Sequence, residues 1–323
     1  MDMSGKKISR REMLRIAGFS ILGSSFVSGI DAVRLPVSSE RFDRNEKLPF
    51  RISLNTSTIS GYKLPIEEQI RLCKEAGFDG IELWFRDVDE YVRRGGTPER
   101  LAAIIKDSGL YLENMIGFAP WLGDDNGMAQ MKKEMELAAM LGSKCIAATA
   151  LGLDVKKAID RNQFESYSAK YRELLVFGEQ IGVRPLLELW GGGVLNQLTD
   201  AVHISVGAKH EKASLLLDFY HLYRGGNAFE SLSLVNGLSL PLFHINDYPA
   251  NPVREQLRDE DRVFPGEGIC PFGKIIPVLY ANGFRGGFSL ELFNQRYWSE
   301  MKVKELLKRG YESIVKAISI DFI

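Results

Sequence analysis

From Pro49 onward, short apolar runs alternate with amphipathic stretches. The runs are FRISLN (50–55), FDGIELW (78–84), LYLENMIGF (110–118), KCIAAT (144–149), VRPLLELW (183–190), ASLLLDF (213–219), LPLFHIND (240–247) and GGFSLELF (286–293). Each is rich in Leu, Ile, Val or Phe and bounded by Gly, Pro, Asp or Lys, the mark of strands buried on both faces of a parallel sheet. Between them the pattern is helical. Pro65-Ile66-Glu67-Glu68 opens one helix that Gly77 closes, and Thr97-Pro98-Glu99-Arg100 opens another that Gly109 ends. Further helices fit 127–141, 164–181, 197–208, 272–282 and 299–317. Eight strands, each followed by helix, predict an α/β fold of one domain over 49–323, the (β/α)8 TIM barrel, whose usual size is about 250 residues. A doubly wound sheet is the rival. No G-x-G-x-x-G follows the first strand, where Asn55-Thr56-Ser57-Thr58 stands, so a dinucleotide site is not expected.

The first residues follow a different pattern. Lys6, Lys7, Arg10, Arg11 and Arg15 form a basic leader, followed by a modestly apolar stretch over 16–27 that ends in small residues. This is the layout of an export signal, and the stretch is shorter than the roughly 20 residues a spanning helix needs. Ser9-Arg10-Arg11-Glu12-Met13-Leu14-Arg15 resembles a twin-arginine signal. The expected organisation is therefore a twin-arginine signal peptide over 1–29, a polar linker over 30–48 and the barrel over 49–323. It implies the twin-arginine export machinery as a partner, a periplasmic location and no stable membrane insertion.

Composition narrows the class. With 41 Lys+Arg against 42 Asp+Glu, 45% hydrophobic and 26% charged residues, the chain is an ordinary globular one, neither disordered nor a basic nucleic-acid binder. Cys73, Cys145 and Cys270 are too few and too scattered for a disulfide framework or a cysteine-built zinc site. Oligomeric state is left open, a homo-oligomer included.

In such a barrel, chemistry sits at the C-terminal ends of the strands. The fifth run ends in Leu187-Glu188-Leu189-Trp190, the sixth in Leu217-Asp218-Phe219, the seventh in Phe243-His244-Ile245-Asn246-Asp247 and the eighth in Leu290-Glu291-Leu292. Acids and an imidazole behind apolar runs are costly unless something pairs them. One divalent cation held by Glu188, Asp218, His244 and Glu291 would do so. Three oxygen donors and one nitrogen suit Mn, Mg or Co, with Zn an alternative.

These motifs carry a resemblance. LELWGGG (187–193), LLLDFYHLYRGG (215–226), FHINDYP (243–249), RVFPGEG (262–268) and FSLELF (288–293) are together similar to the xylose isomerase-like TIM barrel superfamily of sugar isomerases and epimerases, inosose isomerases and dehydratases, and endonuclease IV. The resemblance implies the same four metal ligands, a substrate contact from His221 and another from Arg262. The ketose 3-epimerases of this group carry a further acid six residues after the first ligand. Here that position is Val194. With only four His, the chain cannot supply the trinuclear zinc cluster of endonuclease IV.

Strands five and eight lie three steps apart around the barrel, so Glu188 and Glu291 are expected to face each other across the metal as proton-transfer residues. One would deprotonate the carbon next to a polarised carbonyl and the other would return the proton to an enediolate. Trp84, Trp121, Trp190 and Trp298 all follow strand ends, where flat rings suit a sugar, and the first three are expected substrate contacts. Glu82 on the second strand points to the mouth or the core, and Asp247 is expected to orient His244 or touch substrate. Export would make a phosphate-specific isomerase misplaced, and no Gly-rich phosphate cradle is evident. The expected function is a metal-dependent isomerase or epimerase of an unphosphorylated sugar or keto-sugar. A lyase or hydratase acting on a 3-keto-glycoside and a non-catalytic sugar-binding barrel are the alternatives.

Overall fold

Parallel strands need a long crossover between them, and here each apolar run is followed by one. The computed structural model describes residues 48–319. Within it eight parallel strands close into a barrel in chain order. They are β1 Arg51–Asn55, β2 Gly80–Trp84, β3 Tyr111–Ile116, β4 Cys145–Thr149, β5 Arg184–Glu188, β6 Leu215–Asp218, β7 Leu242–Ile245 and β8 Gly287–Leu290. Each falls inside the run that predicts it and is shorter, because the flanking residues of each run turn out of the ladder. The α-helices are α1 Ile66–Glu75, α2 Phe85–Arg93, α3 Pro98–Ser108, α4 Asp125–Leu141, α5 Phe164–Ile181, α6 Leu198–Gly207, α7 Phe219–Arg224, α8 Phe272–Ala281, α9 Gln295–Glu300 and α10 Val303–Ile318. Periodicity anticipates seven of them; α2, α7 and α9 it does not. The signal peptide expected over 1–29, and all but Leu48 of the linker expected over 30–48, lie outside the described residues. Among the described residues, no helix is long and apolar enough to cross a membrane.

The local signals act as their chemistry requires. The Thr97 side chain accepts from the Arg100 N–H at 3.3 Å while Pro98 takes the first helical position of α3. Gly109 ends that helix at φ 68°, a left-handed conformation glycine adopts without steric cost.

Side chains two apart on a strand share a face, and this sorts the barrel interior into layers. Leu186, Leu216 and Leu242 form part of a small apolar cluster inside the barrel with Cys145 and Ala147. Two residues further along the same strands stand Glu188, Asp218 and His244. One layer is hydrocarbon; the next is donor atoms. The outward faces pack on the helices, with Phe50, Phe219, Phe243, Phe284 and Phe288 in mutual ring contact.

Candidate active site

Strand register sets the polar layer. Asp218 pairs with His244 across β6 and β7, Thr149 with Glu188 across β4 and β5, and Asn55 with Glu82 and Glu82 with Asn114 across β1 to β3. Donor atoms of Asp218, His244 and Glu291 lie within 4.8 Å of one another, all buried. His244 Nδ1 stands 3.1 Å from Glu291 Oε2, 3.8 Å from Asp218 Oδ2 and 3.9 Å from Glu188 Oε1. The four predicted ligands therefore share one centre, with Glu188 slightly apart because its other oxygen accepts from the Thr149 hydroxyl.

The other face of the imidazole explains its orientation. His244 Nε2 lies 3.1 Å from Glu82 Oε2, which also accepts from Asn114 Nδ2 at 2.9 Å. A carboxylate only accepts, so Nε2 carries a proton toward Glu82, and Nδ1 faces three further acids. Although burial opposes it, Glu291 and Glu82 raise the ring well above its ordinary value, so that a cation bound at the centre would take the place of the Nδ1 proton. Nδ1 is buried without a well-directed hydrogen bond. An orphaned imidazole nitrogen facing three carboxylates, with a carboxylate behind the ring, fits a divalent cation. Glu82→Gln should lower metal affinity about tenfold, measured by competition with a chelator, because the amide polarises the ring less. Unchanged affinity would remove Glu82 from that role.

Asparagines position the carboxylates. Asn55, oriented by the Trp84 indole N–H at 2.8 Å, donates to Glu291 Oε1 at 2.9 Å. Asn246 donates to Asp218 Oδ2 at 2.9 Å. Arg262 is wholly enclosed between the rings of Tyr220 and Phe293. Its Nη1 donates to Asp218 Oδ2 at 2.8 Å and Glu291 Oε2 at 2.7 Å; Nε and Nη2 reach Asp259, and Nη2 also reaches His221 Nε2 at 3.1 Å. All five N–H donors are engaged with protein, so the structure places Arg262 as counter-charge to the acids rather than as a group facing a ligand. His221, the other expected contact, lies at the same centre, with its Nδ1 buried and unpartnered.

Two further sequence expectations are corrected. Asp247 reaches neither His244 nor open space. Its carboxylate accepts from the backbone N–H groups of Tyr248, Gly266, Gly268 and Cys270 at 2.8–3.0 Å and so organises the loop after β7. Trp121 is fully buried, with its N–H on the Thr149 carbonyl at 2.6 Å and its ring against Tyr171, so it is a core residue. Trp298, also past a strand end, packs over Gly61 and bonds the Thr58 carbonyl. Trp84 and Trp190 do stand at the mouth. They join Phe293, Phe118 and His221 in an arc of rings with centroids 5.5–6.3 Å apart. Phe118 and Phe293 were not singled out by the sequence reading, although both fall at the ends of apolar runs.

Charge is divided unevenly between the two glutamates. Burial pushes Glu188 up to about 7, with Glu291 and Asp218 adding to this and His244 and Thr149 opposing it. Burial acts the same way on Glu291, but His244 and Arg262 outweigh it and hold that carboxyl well below the usual range. Burial and the Arg262 guanidinium hold His221 below its ordinary value, although Asp218 opposes them.

A closed parallel barrel with acids and an imidazole at its C-terminal mouth is the arrangement of a known class, and the chain belongs to the xylose isomerase-like TIM barrel family, whose model matches residues 70–315. Among its relatives, the inosose isomerase of Bacillus velezensis is 27% identical over 80% of this chain and 93% of its own length. The 3-dehydroshikimate dehydratase of Pseudomonas aeruginosa is 28% identical over 76% of this chain but only 38% of its own length. The fructoselysine 3-epimerase of Escherichia coli O157:H7 is 24% identical over 73% of this chain and 88% of its own. Among solved structures, the IOLI protein with a bound zinc superposes with a TM-score of 0.77, covering 84% of this chain and 98% of that one at 24% identity. Its relatives thus include an isomerase, a dehydratase and an epimerase.

Proposed function

We propose that the protein is a divalent-metal-dependent isomerase or epimerase of an unphosphorylated sugar or keto-sugar. The observation that supports this reading is the pair of glutamates on separate strands beside His244 Nδ1, Glu291 held at both oxygens by Asn55 and Arg262 and Glu188 held at one by Thr149. A divalent cation held by Glu188, Asp218, His244 and Glu291 would polarise a carbonyl oxygen and offset charge developing there. Glu188 would take the proton from the adjacent carbon and return it, since Thr149 engages only one of its oxygens and a bound cation would keep the carboxyl ionised as a base. Glu291, held by Asn55, would keep its orientation and face the substrate from the other side. His221, which lines the adjoining cavity, would contact the substrate, and the aromatic arc would exclude water and take the apolar face of a ring.

The test is incubation of metal-loaded protein with a panel of keto-sugars in deuterium oxide. The expected result is exchange of the hydrogen next to the carbonyl, together with an isomer or epimer as product. Elimination of water instead would favour the dehydratase reading, which shares the first proton transfer and is the activity named for one relative. Binding of sugar with neither exchange nor product would point to a sugar-binding barrel.

We also propose that residues 1–29 direct twin-arginine export, supported by Arg10-Arg11 ahead of the short apolar stretch. Replacing both arginines by lysine should leave the protein in the cytoplasm on fractionation; unchanged periplasmic recovery would refute this route.

A further inference from the structure

Beside the polar layer lies a cavity of about 440 Å³, within the range of about 300–1,000 Å³ typical of small-molecule sites. Glu188 and His221 line its inner end; its walls come from the loops after β4, β5 and β7 and from α7. Asp218, His244, Glu291, Trp84 and Phe118 do not line it. A single sugar ring held by those groups under the aromatic arc would therefore leave this space unused.

The lining shows what it would accept. Leu151, Val155, Trp190, Val194 and Leu257 supply apolar walls. The charged groups lie at its outer edge, where Asp259 pairs with Arg262, Glu260 stands 3.7 Å from Arg258, and Arg224 Nε donates to the Leu257 carbonyl. Inside that edge a second sugar ring would lie against these apolar side chains, and each buried hydroxyl left unpaired costs binding. At the inner end, His221 lines the cavity next to Glu188, with its Nε2 accepting from Arg262, so this end of the space adjoins the acid cluster where the reacting ring would lie. In the loop after β5, Gly192 faces open space: a Cβ there would meet nothing within 4 Å, and the residue is not in the left-handed region. The glycine is therefore not required by fold geometry, and this exposed lining position has room for a larger side chain.

We propose that this cavity receives an apolar, planar aglycone joined through oxygen to the reacting ring, so that the substrate is a keto-glycoside. The assignment rests on the keto-sugar reading for the identity of the ring, and binding is measured apart from turnover so that the two can fail separately. The probes are 3-keto-glucose and its methyl and phenyl β-glycosides, titrated calorimetrically into metal-loaded wild type and Gly192→Phe. Wild type should bind the phenyl glycoside at least about tenfold more tightly than the methyl one, the scale expected for burying an aromatic ring. Gly192→Phe, which adds a ring at the cavity's rim, should abolish that preference while leaving the methyl glycoside within about twofold. Val155→Trp, from the exposed side of the other wall, provides the same comparison if the first variant does not fold. Equal affinities in wild type, no binding of either glycoside, or a phenyl preference that survives both variants would overturn the proposal. Equal weakening of both glycosides would also overturn it, because the cavity would then hold the sugar itself. A phenyl preference lost on filling, but with no solvent exchange in any probe, would keep the aglycone site and reject the isomerase reading.

Discussion

Metal-loaded Glu188→Gln and Glu291→Gln proteins should lose solvent exchange at the carbon next to the carbonyl by about 10²-fold or more, the typical worth of a positioned base. Glutamine keeps the shape and one oxygen donor at each position but cannot accept a proton from carbon. The two losses should differ in kind. Glu188 stands 3.9 Å from His244 Nδ1 and is pushed up to about 7, so its replacement should remove exchange with a modest change in metal affinity. Glu291 stands 3.1 Å away with both oxygens engaged, by Asn55 and by Arg262, so its replacement should weaken the metal more. Exchange in wild type should rise with pH as Glu188 ionises and level off below 7 in the loaded protein, because a bound cation favours the carboxylate. Metal content measured in parallel separates the two effects. Full exchange in metal-loaded Glu188→Gln would assign the base elsewhere.

Asp247→Ala should destabilise the fold by about 3–4 kcal/mol, read from chemical unfolding. The carboxylate collects four backbone N–H groups from a loop that has no regular ladder to satisfy them, and a buried donor left without a partner costs about 1–3 kcal/mol. Partial rehydration of the loop keeps the sum below four full penalties. Asp247→Asn, which retains one oxygen in place, should cost about half as much. A loss under about 1 kcal/mol for alanine would mean that the loop is held by its other contacts. Arg262 hangs from the same loop, so the alanine variant should also bind metal less tightly; this connects folding of the loop to the candidate site.

The strands were legible because burial on both faces leaves unbroken apolar runs, and a run such as 183–190 needs no knowledge of its neighbours to be read. Helix α2 was not legible in the same way. Its sequence FRDVDEYVR buries only Phe85, Val88 and Tyr91, and it begins directly at the end of β2 with no side-chain cap. The four inward residues at strands five to eight were visible as polar groups behind hydrocarbon. Their partners were not, because Glu82 meets His244 across 162 residues of chain and only barrel closure places them together. Asp247 misled because proximity in sequence suggested His244 as its partner. The chain leaves β7 at Ile245, and Asp247 already belongs to the loop. Trp121 misled because a large ring past a strand end can turn under the loop as readily as over the mouth. Position along the chain does not distinguish these.

The loop that Asp247 organises also bears on how this barrel could change its chemistry over evolutionary time. Asp247 and Val263 exchange two backbone hydrogen bonds at 2.9 Å, so residues 248–262 leave and re-enter the barrel at a single closed neck, within the usual length of an Ω-loop. Leu257 and Arg258 of the aglycone cavity and Arg262 of the acid cluster all lie on this one excursion. Because the neck is fixed by the scaffold, the excursion can be lengthened, shortened or exchanged so long as a cation is kept against Asp218 and Glu291. A single recombination across that neck would exchange a specificity wall and an active-site cation together, leaving Glu188, Asp218, His244 and Glu291 in place. Descent within a family that includes isomerases, a dehydratase and an epimerase could thus proceed by replacing a cartridge on an inherited frame, and the borders of that cartridge are Asp247 and Val263.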